Sequence, residues 1–272
     1  MFLDESPIGI FDSGVGGLSV LREIRTQLPT ESILYLADQG HVPYGSRKLK
    51  EVQIFSEEIT RFLLGRGAKL IVVACNTASA AALQHLRQTF PMTVFVGMEP
   101  AVKPAAESTH TGIVGVLATP ATFQGKLYAS VVERFANGVT ILQDTCPGLV
   151  TQIEKGGLDS HTTREILERA LHPMLEKGID TVVLGCTHYP FVIPMIRQIT
   201  GPDVRVIDPA PAVARQTIRL LDTAGLRNKD SRSGGMEFFT SGNEEQFNTQ
   251  LTRLLGVTGK SRQIKWVKNK IV

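Results

Sequence analysis

The feature that most constrains the fold is a segment that occurs twice in the chain. Residues 67–77 and 178–188 each run from a glycine through strand-like apolar residues to a small residue and then a cysteine, at the same offset. Runs that are apolar on both faces are typical of strands in the middle of a parallel sheet. Ligands of open α/β sheets lie beyond the carboxyl ends of the strands, where Cys75 and Cys186 fall. The repeat predicts two similar half-chains whose thiols face one pocket.

Strand-like and helix-like segments alternate through both half-chains, which predicts the α/β class. We expect two pseudo-symmetric three-layer α/β domains with mainly parallel sheets and an active site in the cleft between them. At 272 residues the chain is long enough for two small domains. The C-terminal segment has no counterpart in the repeat, so we assign it to the first domain. The predicted boundaries are 1–97 plus 208–272 for the first domain and 98–207 for the second.

Composition and charge exclude several classes of partner. The net charge is only +3, and the basic residues are scattered, so we expect no nucleic-acid partner. No apolar stretch is long enough to cross a membrane, and the acidic start lacks the regions of a secretion signal. We therefore expect a cytoplasmic protein with no membrane partner. Three cysteines without a C-x-x-C pair argue against a disulfide or a metal site, and we interpret Cys146 as structural.

A glycine-rich turn follows Asp12, between a short strand and an amphipathic helix. Such a turn exposes backbone N–H groups to an anion at the positive end of the helix. A dinucleotide site is the obvious alternative, since Gly14 and Gly16 fit its first two glycines and Asp38 fits its ribose-binding acid. Ser19, however, replaces the third glycine, and Asp12 brings negative charge toward a pyrophosphate. We therefore favour a carboxylate or ammonium ligand.

Polar residues that follow other strands are candidates for the same pocket. Asn76 or Thr77 can cap a helix that begins after Cys75, and the helix dipole would lower the pKa of that thiol from its usual value of about 8.5. Thr119 is a second helix cap, and both capping and ligand binding remain open for it. Tyr44 lies in a loop where packing and pocket lining are both plausible.

Two thiols in equivalent positions favour proton transfer at a carbon centre. One thiolate removes a proton from one face of a stereocentre and the other thiol delivers a proton to the opposite face, as in a two-base racemase or epimerase. The α hydrogen of an amino acid is weakly acidic, so aimed donors must stabilise the developing charge on the carboxylate. The turn N–H groups and four side chains are suitable donors, namely Ser13, Asn76, Thr77 and Thr187.

Acidic and basic neighbours of the thiols provide a second set of candidates. Asp12 near Cys75 and His188 near Cys186 could tune or relay protons. A Cys–His hydrolase could use Cys186 with His188, but it leaves Cys75 unexplained. A thiol–disulfide enzyme would need its cysteines close in sequence. A non-catalytic amino-acid binding module is a further alternative, and it would not exchange an α proton.

Four motifs in this order closely resemble those of the bacterial glutamate racemases, in the cofactor-independent Asp/Glu racemase superfamily. They are Asp-Ser-Gly-Val-Gly-Gly (12–17), Pro-Tyr-Gly (43–45), Cys-Asn-Thr-Ala-Ser (75–79) and Gly-Cys-Thr-His-Tyr-Pro (185–190). The resemblance covers nearly the whole chain. It implies interconversion of L- and D-glutamate by two catalytic cysteines without a cofactor, to supply D-glutamate for peptidoglycan. It is also compatible with a homodimer.

The resemblance implies roles for individual residues. Cys75 would act on D-glutamate and Cys186 on L-glutamate. The matching substrate-contacting positions are Asp12, Ser13, Tyr44, Gly45, Asn76, Thr77, Thr187 and His188, with weaker matches at Thr119 and Thr122. Glu154 looks like a solvated helix residue by itself. Its segment, however, is similar to one that holds an assisting carboxylate in family members, so Glu154 joins Asp12 and His188 as a catalytic candidate.

The resemblance to this family carries two further expectations. Aspartate racemase, which is similar in fold and chemistry, is the nearest alternative activity, although it is not expected to share the flanking motifs. The chain lacks the N-terminal extension of members activated by a cell-wall precursor, so that activation is not expected.

Overall fold

The computed structural model describes residues 5–230 and 232–272. Within these ranges the strands are β1 (Ile8–Asp12), β2 (Ile33–Ala37), β3 (Leu70–Val73), β4 (Val94–Gly97), β5 (Ile113–Ala118), β6 (Thr140–Asp144), β7 (Thr181–Gly185), β8 (Arg205–Ile207), β9 (Met236–Thr240), β10 (Ser261–Gln263), β11 (Trp266–Val267) and β12 (Lys270–Ile271). The α-helices are α1 (Leu18–Gln27), α2 (Leu49–Gly65), α3 (Asn76–Thr89), α4 (Val102–Ser108), α5 (Pro120–Gln124), α6 (Lys126–Phe135), α7 (Leu149–Glu154), α8 (His161–Glu176), α9 (Ile193–Thr200), α10 (Ala210–Ala224) and α11 (Glu244–Leu255).

The first sheet is parallel throughout, with strand order β10-β9-β2-β1-β3-β4. Its central strands are buried on both faces, as their apolar runs predict. Ile10 and Val72 belong to the core cluster that includes α1, whereas Phe11 and Val73 belong to the cluster that includes α2 and α3. The sheet is therefore the middle of three layers. Because Phe11 pairs with Val73, the chain leaves β1 and β3 at the same edge.

The second sheet is also parallel, with strand order β6-β5-β7-β8. Val182 and Leu184 of β7 lie in the cluster that includes α8, and Val183 lies in the cluster that includes α4 and α6. Alternate residues of β7 thus pack against helices on opposite faces of the sheet. Ala118 pairs with Gly185, so the segments after β5 and β7 leave the sheet side by side.

The two copies of the repeat differ in the structure that succeeds the cysteine strand. After β3, helix α3 begins at once with Cys75 as its N-cap. After β7, a 3-10 turn (Tyr189–Val192) precedes α9. Pro194 lacks the N–H group that an α-helix continuing from Tyr189 would need, so α9 begins only at Ile193.

The fold class is confirmed: the molecule is α/β, with two domains built on two parallel sheets. The C-terminal strands β9 and β10 extend the first sheet, as expected, while β11 and β12 form an antiparallel hairpin beside it. The domain boundaries at residues 97/98 and 207/208 stay a prediction. The division of the strands between the two sheets is consistent with them. Within the described residues, no helix combines the length and apolar content needed to span a bilayer.

Candidate active site

Residues that follow the carboxyl ends of strands in both sheets line one narrow, buried pocket. Cys75 and Cys186 both line it and are 5% and 6% exposed. Most of the other predicted site residues line it too, namely Ser13, Tyr44, Gly45, Asn76, Thr77, Thr119, Thr187 and His188. Pro43 and Val150 also line it. Pro43 lies inside a motif that we recognised, whereas an aliphatic residue such as Val150 carries no recognisable sequence signal.

Two predicted residues lie behind this lining and support it. Asp12 Oδ1 accepts a hydrogen bond from Thr187 Oγ1 at 3.3 Å, and its Oδ2 accepts one from Gly14 N at 3.0 Å. The Thr122 hydroxyl lies 3.0 Å from that of Thr119, which caps α5 by accepting from Thr122 N. Burial raises the pKa of Asp12, and the positive charge of His188 only partly offsets this.

The environment of Cys75 raises the pKa of its thiol, contrary to the sequence prediction. The Sγ atom accepts a long hydrogen bond from Ala78 N at 3.5 Å and lies 3.9 Å from Ser13 Oγ. This N–H group lowers the pKa, as the helix-terminus argument requires. Burial and the neighbouring Asp12 carboxylate act more strongly in the other direction, so the pKa is raised well above its ordinary value.

Cys186 has a cationic neighbour instead of an anionic one. Its Sγ lies 3.8 Å from His188 Nδ1, and His188 Nε2 lies 2.6 Å from Glu154 Oε1. Burial lowers the pKa of His188, but hydrogen bonds to Cys186 and Glu154 and their charges raise it well above its ordinary value. Burial raises the pKa of Glu154, yet its hydrogen bonds, chiefly that with His188, leave it lowered. Both shifts favour an imidazolium beside a carboxylate.

The glycine-rich turn does bind a carboxylate, but one that belongs to the protein. Val15 N donates to Glu154 Oε1 at 2.7 Å, and Gly14 N donates to Asp12. The prediction that these two N–H groups would hold a ligand is therefore wrong. A methyl group at Gly16 would collide with the His188 ring, which explains the glycine by close approach.

The residues that suggested a dinucleotide site are occupied by internal contacts. Asp38 accepts hydrogen bonds from Tyr44 Oη and Ser241 Oγ, each at 2.6 Å, and from Trp266 Nε1 at 2.8 Å. His41 Nδ1 lies 2.9 Å from the same carboxylate. Asp38 therefore has no oxygen left for a ribose. Tyr44 both packs and lines the pocket, so the two interpretations of this residue are compatible.

Asn76 differs from its neighbours because its side chain is unsatisfied. It is 3% exposed, and neither amide atom has a hydrogen-bond partner among the described residues. Buried polar groups are nearly always paired, so an unpaired amide in a pocket wall indicates a place for a polar ligand. Beside it, Thr77 Oγ1 lies 2.9 Å from Thr119 Oγ1, which joins the walls contributed by the two sheets.

The third cysteine lies outside the pocket. Cys146 is 2% exposed and packs in the hydrophobic core with Leu149 and Ile153. In the described part of the chain, no group of three or more His, Cys, Asp and Glu side chains is placed to hold a metal ion.

Comparisons with known proteins identify the family of this chain. Residues 8–217 match the family model Asp/Glu/Hydantoin racemase. A relative named glutamate racemase, from Roseiflexus sp. (strain RS-1), is 52% identical over 249 residues, which are 91% of this chain and 92% of that protein.

Solved structures of glutamate racemases are also similar to this chain. Escherichia coli glutamate racemase, in complex with L-glutamate and the activator UDP-MurNAc-Ala, has a TM-score of 0.83 and 34% identity, and the match covers 98% of this chain and 99% of that one. Francisella tularensis glutamate racemase, in complex with D-glutamate, has a TM-score of 0.84 and 28% identity, with 97% and 98% covered. A family model that spans most of the chain and a relative at 52% identity decide the assignment. The chain belongs to the Asp/Glu/Hydantoin racemase family, in its glutamate racemase group, and is an amino-acid racemase.

Proposed function

We propose that this enzyme interconverts L- and D-glutamate by a two-base mechanism in which Cys75 and Cys186 exchange protons with the α carbon. The observation that carries the proposal is the placement of both thiols in the wall of one buried pocket, at strand ends of two different sheets. Thiols supplied from opposite sides of a pocket can reach opposite faces of one stereocentre. The relatives solved with L- and D-glutamate support the choice of substrate.

The two thiols have different partners, and this determines how protons are returned. The imidazolium of His188 beside Cys186 can stabilise negative charge on that sulfur or give it a proton, while Glu154 balances the charge of the ring. Cys75 lies close to Asp12 and in a setting that favours its protonated form. When the substrate is L-glutamate, Cys186 is then the base and Cys75 is the acid. The reverse reaction exchanges these roles.

Binding of the amino acid would use the unsatisfied and polar groups of the wall. Asn76 offers a free amide, and the hydroxyl residues Ser13 and Thr187 also line the pocket. Donors aimed at the substrate carboxylate would stabilise the carbanion-like charge as it develops, which is the main barrier to removing an α proton.

The proposed function is tested by incubating the protein with L-glutamate in D₂O without added cofactor. We expect loss of optical rotation together with uptake of deuterium at the α carbon, because each inversion delivers a proton from a thiol that exchanges with solvent. Retained rotation and an unlabelled α carbon would contradict the proposal. The same changes with aspartate alone would move the substrate assignment to aspartate.

The proposed biological role is the supply of D-glutamate for peptidoglycan. A bacterial strain that requires D-glutamate for growth should grow without it when it expresses this chain. Failure of an active enzyme to restore growth would contradict the role but not the reaction.

Replacement of Asn76 by leucine should weaken substrate binding without loss of stability. Losing a hydrogen bond to a charged group should raise KM about 10- to 100-fold. The free energy of unfolding should hold or increase, because an unsatisfied buried amide costs about 1–3 kcal/mol in the unaltered protein. Steady-state kinetics and urea denaturation measure the two effects.

Asn248 provides a matched control for this substitution. Its Oδ1 accepts a hydrogen bond from Ser261 N at 2.8 Å, remote from the pocket. Asn248→Leu should lower stability and leave KM unchanged. An unchanged KM in Asn76→Leu would show that this amide does not bind substrate.

A further inference from the structure

The carboxylate of Glu154 is held by a residue that no sequence motif indicated. Its Oε1 accepts hydrogen bonds from Val15 N at 2.7 Å and forms the 2.6 Å contact with His188 Nε2. Its Oε2 accepts a hydrogen bond from Gln39 Nε2 at 2.9 Å. Gln39 therefore contacts the carboxylate oxygen that His188 does not use.

Further contacts fix the amide of Gln39 in this orientation. Its Nε2 also donates to Gln250 Oε1 at 3.1 Å, and its Oε1 accepts from Thr240 Oγ1 at 3.0 Å. The Thr240 oxygen itself accepts from Gly242 N at 3.0 Å, so its hydrogen is free to be donated. Rotating the amide by half a turn would set its oxygen against the Glu154 carboxylate. The network allows one assignment of the amide.

A second amide extends the same network. Gln250, on α11, is 8% exposed and donates through Nε2 to the backbone carbonyl of Glu154. One turn later, Arg253 donates to the carbonyl of Gly156. Gln39 follows β2, and Gln250 lies in the segment that completes the first sheet. Glu154 ends α7 and His188 follows β7, both in the second domain. The hydrogen bonds therefore cross from one domain to the other, next to a catalytic candidate.

We propose that Gln39 is a positioning residue that, together with Gln250, fixes the Glu154 carboxylate and thereby holds the His188 ring beside the Cys186 sulfur. The kinetic part of this inference rests on the proposed function. The arrangement makes proton transfer in the second domain depend on docking of the first, because carboxylate and amides come from different domains. An enzyme whose His188 ring is misplaced would still bind substrate, but it would return protons to the Cys186 sulfur slowly.

The first test compares Gln39→Leu with Gln53→Leu. Gln53 is a matched control because its half-buried amide also donates one hydrogen bond, to Ala81 O at 2.8 Å, within the helical layer of α2 and α3. We expect kcat of Gln39→Leu to fall about 10- to 100-fold, the usual effect of losing a hydrogen bond to a charged group, with a much smaller change in KM. Equal kcat values for the two variants would overturn the proposal.

A second variant distinguishes positioning from general loss of structure. In Gln39→Glu the introduced carboxyl has the same length as the amide and faces the Glu154 carboxylate, so repulsion raises its pKa. Once protonated it can donate to Oε2 as the amide does. The ratio of its kcat to that of the unaltered enzyme should rise as the pH is lowered from 9 to 6, whereas the ratio for Gln39→Leu should stay low. A ratio independent of pH would contradict the proposal.

The titratable groups that face His188 also contribute to the pH dependence of kcat. They are Cys186 after β7, Glu154 at the end of α7 and Asp12 at the end of β1. All three remain in both Gln39 variants, so dividing by the kcat of the unaltered enzyme at each pH removes their own titration.

A spectroscopic measurement separates this proposal from the proposed function. In protein labelled with ¹⁵N-histidine, the ring signals of His188 are identified by their loss in His188→Asn. We expect these signals to shift in Gln39→Leu and to stay in place in Gln53→Leu. Unshifted signals in Gln39→Leu would overturn the positioning role even if the protein racemises glutamate. Shifted signals in a protein that does not racemise glutamate would support positioning while the proposed function fails.

Discussion

Replacing either Cys75 or Cys186 by alanine is expected to lower kcat/KM for racemisation about 10²- to 10⁴-fold, the contribution of a positioned acid or base. Each variant retains one thiol in the pocket, so only one face of the stereocentre can be protonated. At equilibrium the two enantiomers are equal in free energy, so kcat/KM must fall equally in the two directions. Polarimetry from both enantiomers measures the loss.

Exchange of the α hydrogen should separate the roles of the two thiols. In Cys75→Ala, the remaining Cys186 should still exchange the α hydrogen of L-glutamate with D₂O, without inversion. In Cys186→Ala, the same exchange should be confined to D-glutamate. Proton NMR of each enantiomer shows which is labelled.

The third cysteine provides the control for both variants. Cys146 is as buried as the other two but lies outside the pocket, so Cys146→Ala should racemise glutamate at the unaltered rate. Nearly full activity in Cys75→Ala would contradict the two-base mechanism. It would agree instead with a Cys–His enzyme that uses Cys186 and His188.

Replacing Lys69 by methionine is expected to lower the free energy of unfolding by about 3–5 kcal/mol, the usual effect of removing one partner of a buried ion pair. Lys69 Nζ lies 2.6 Å from Glu31 Oε2, and both side chains are fully buried. Glu31 Oε1 also accepts from Asn228 N at 2.8 Å, which ties the loop after α10 to the first sheet. Without Lys69, the carboxylate would stay buried with its charge uncompensated.

A second substitution tests this explanation. Adding Glu31→Gln to Lys69→Met removes the uncompensated charge but keeps an acceptor for Asn228 N, so the double variant should recover much of the lost stability. Urea denaturation of the three proteins measures the effect. The ion pair precedes β2 and β3, at the end of the sheet opposite Cys75, so the folded single variant should keep its kcat. A loss below about 1 kcal/mol would show that water or other groups solvate Glu31.

The sequence predicted those parts of the site that depend on local pattern. The strands before Cys75 and Cys186 are apolar on both faces, which is typical of the interior of a parallel sheet, so both thiols were expected at the carboxyl edges. The cap at Thr119 depends on four neighbouring residues and was equally readable. Glu154 could not be placed by its own helix, because a short amphipathic segment does not indicate what will pack against its last turn.

Contacts between segments that are distant in the chain account for the rest. The pKa of Cys75 is raised although it begins a helix, because burial next to Asp12 outweighs the helix terminus. The turn after Asp12 holds Glu154 where a ligand was expected.

Sequence alone therefore determined the class of fold, the pair of thiols and the motifs of the family, since these depend on hydrophobic periodicity and on residues adjacent in the chain. Only the tertiary structure decided that Gln39 and Gln250 donate hydrogen bonds to Glu154, that Glu154 contacts His188, and that the Asn76 amide has no partner among the described residues. The physical reason is that the burial of a polar group and its hydrogen-bond partners depend on which surfaces pack together in the folded protein. They arise when segments that are distant in the chain exclude water from each other.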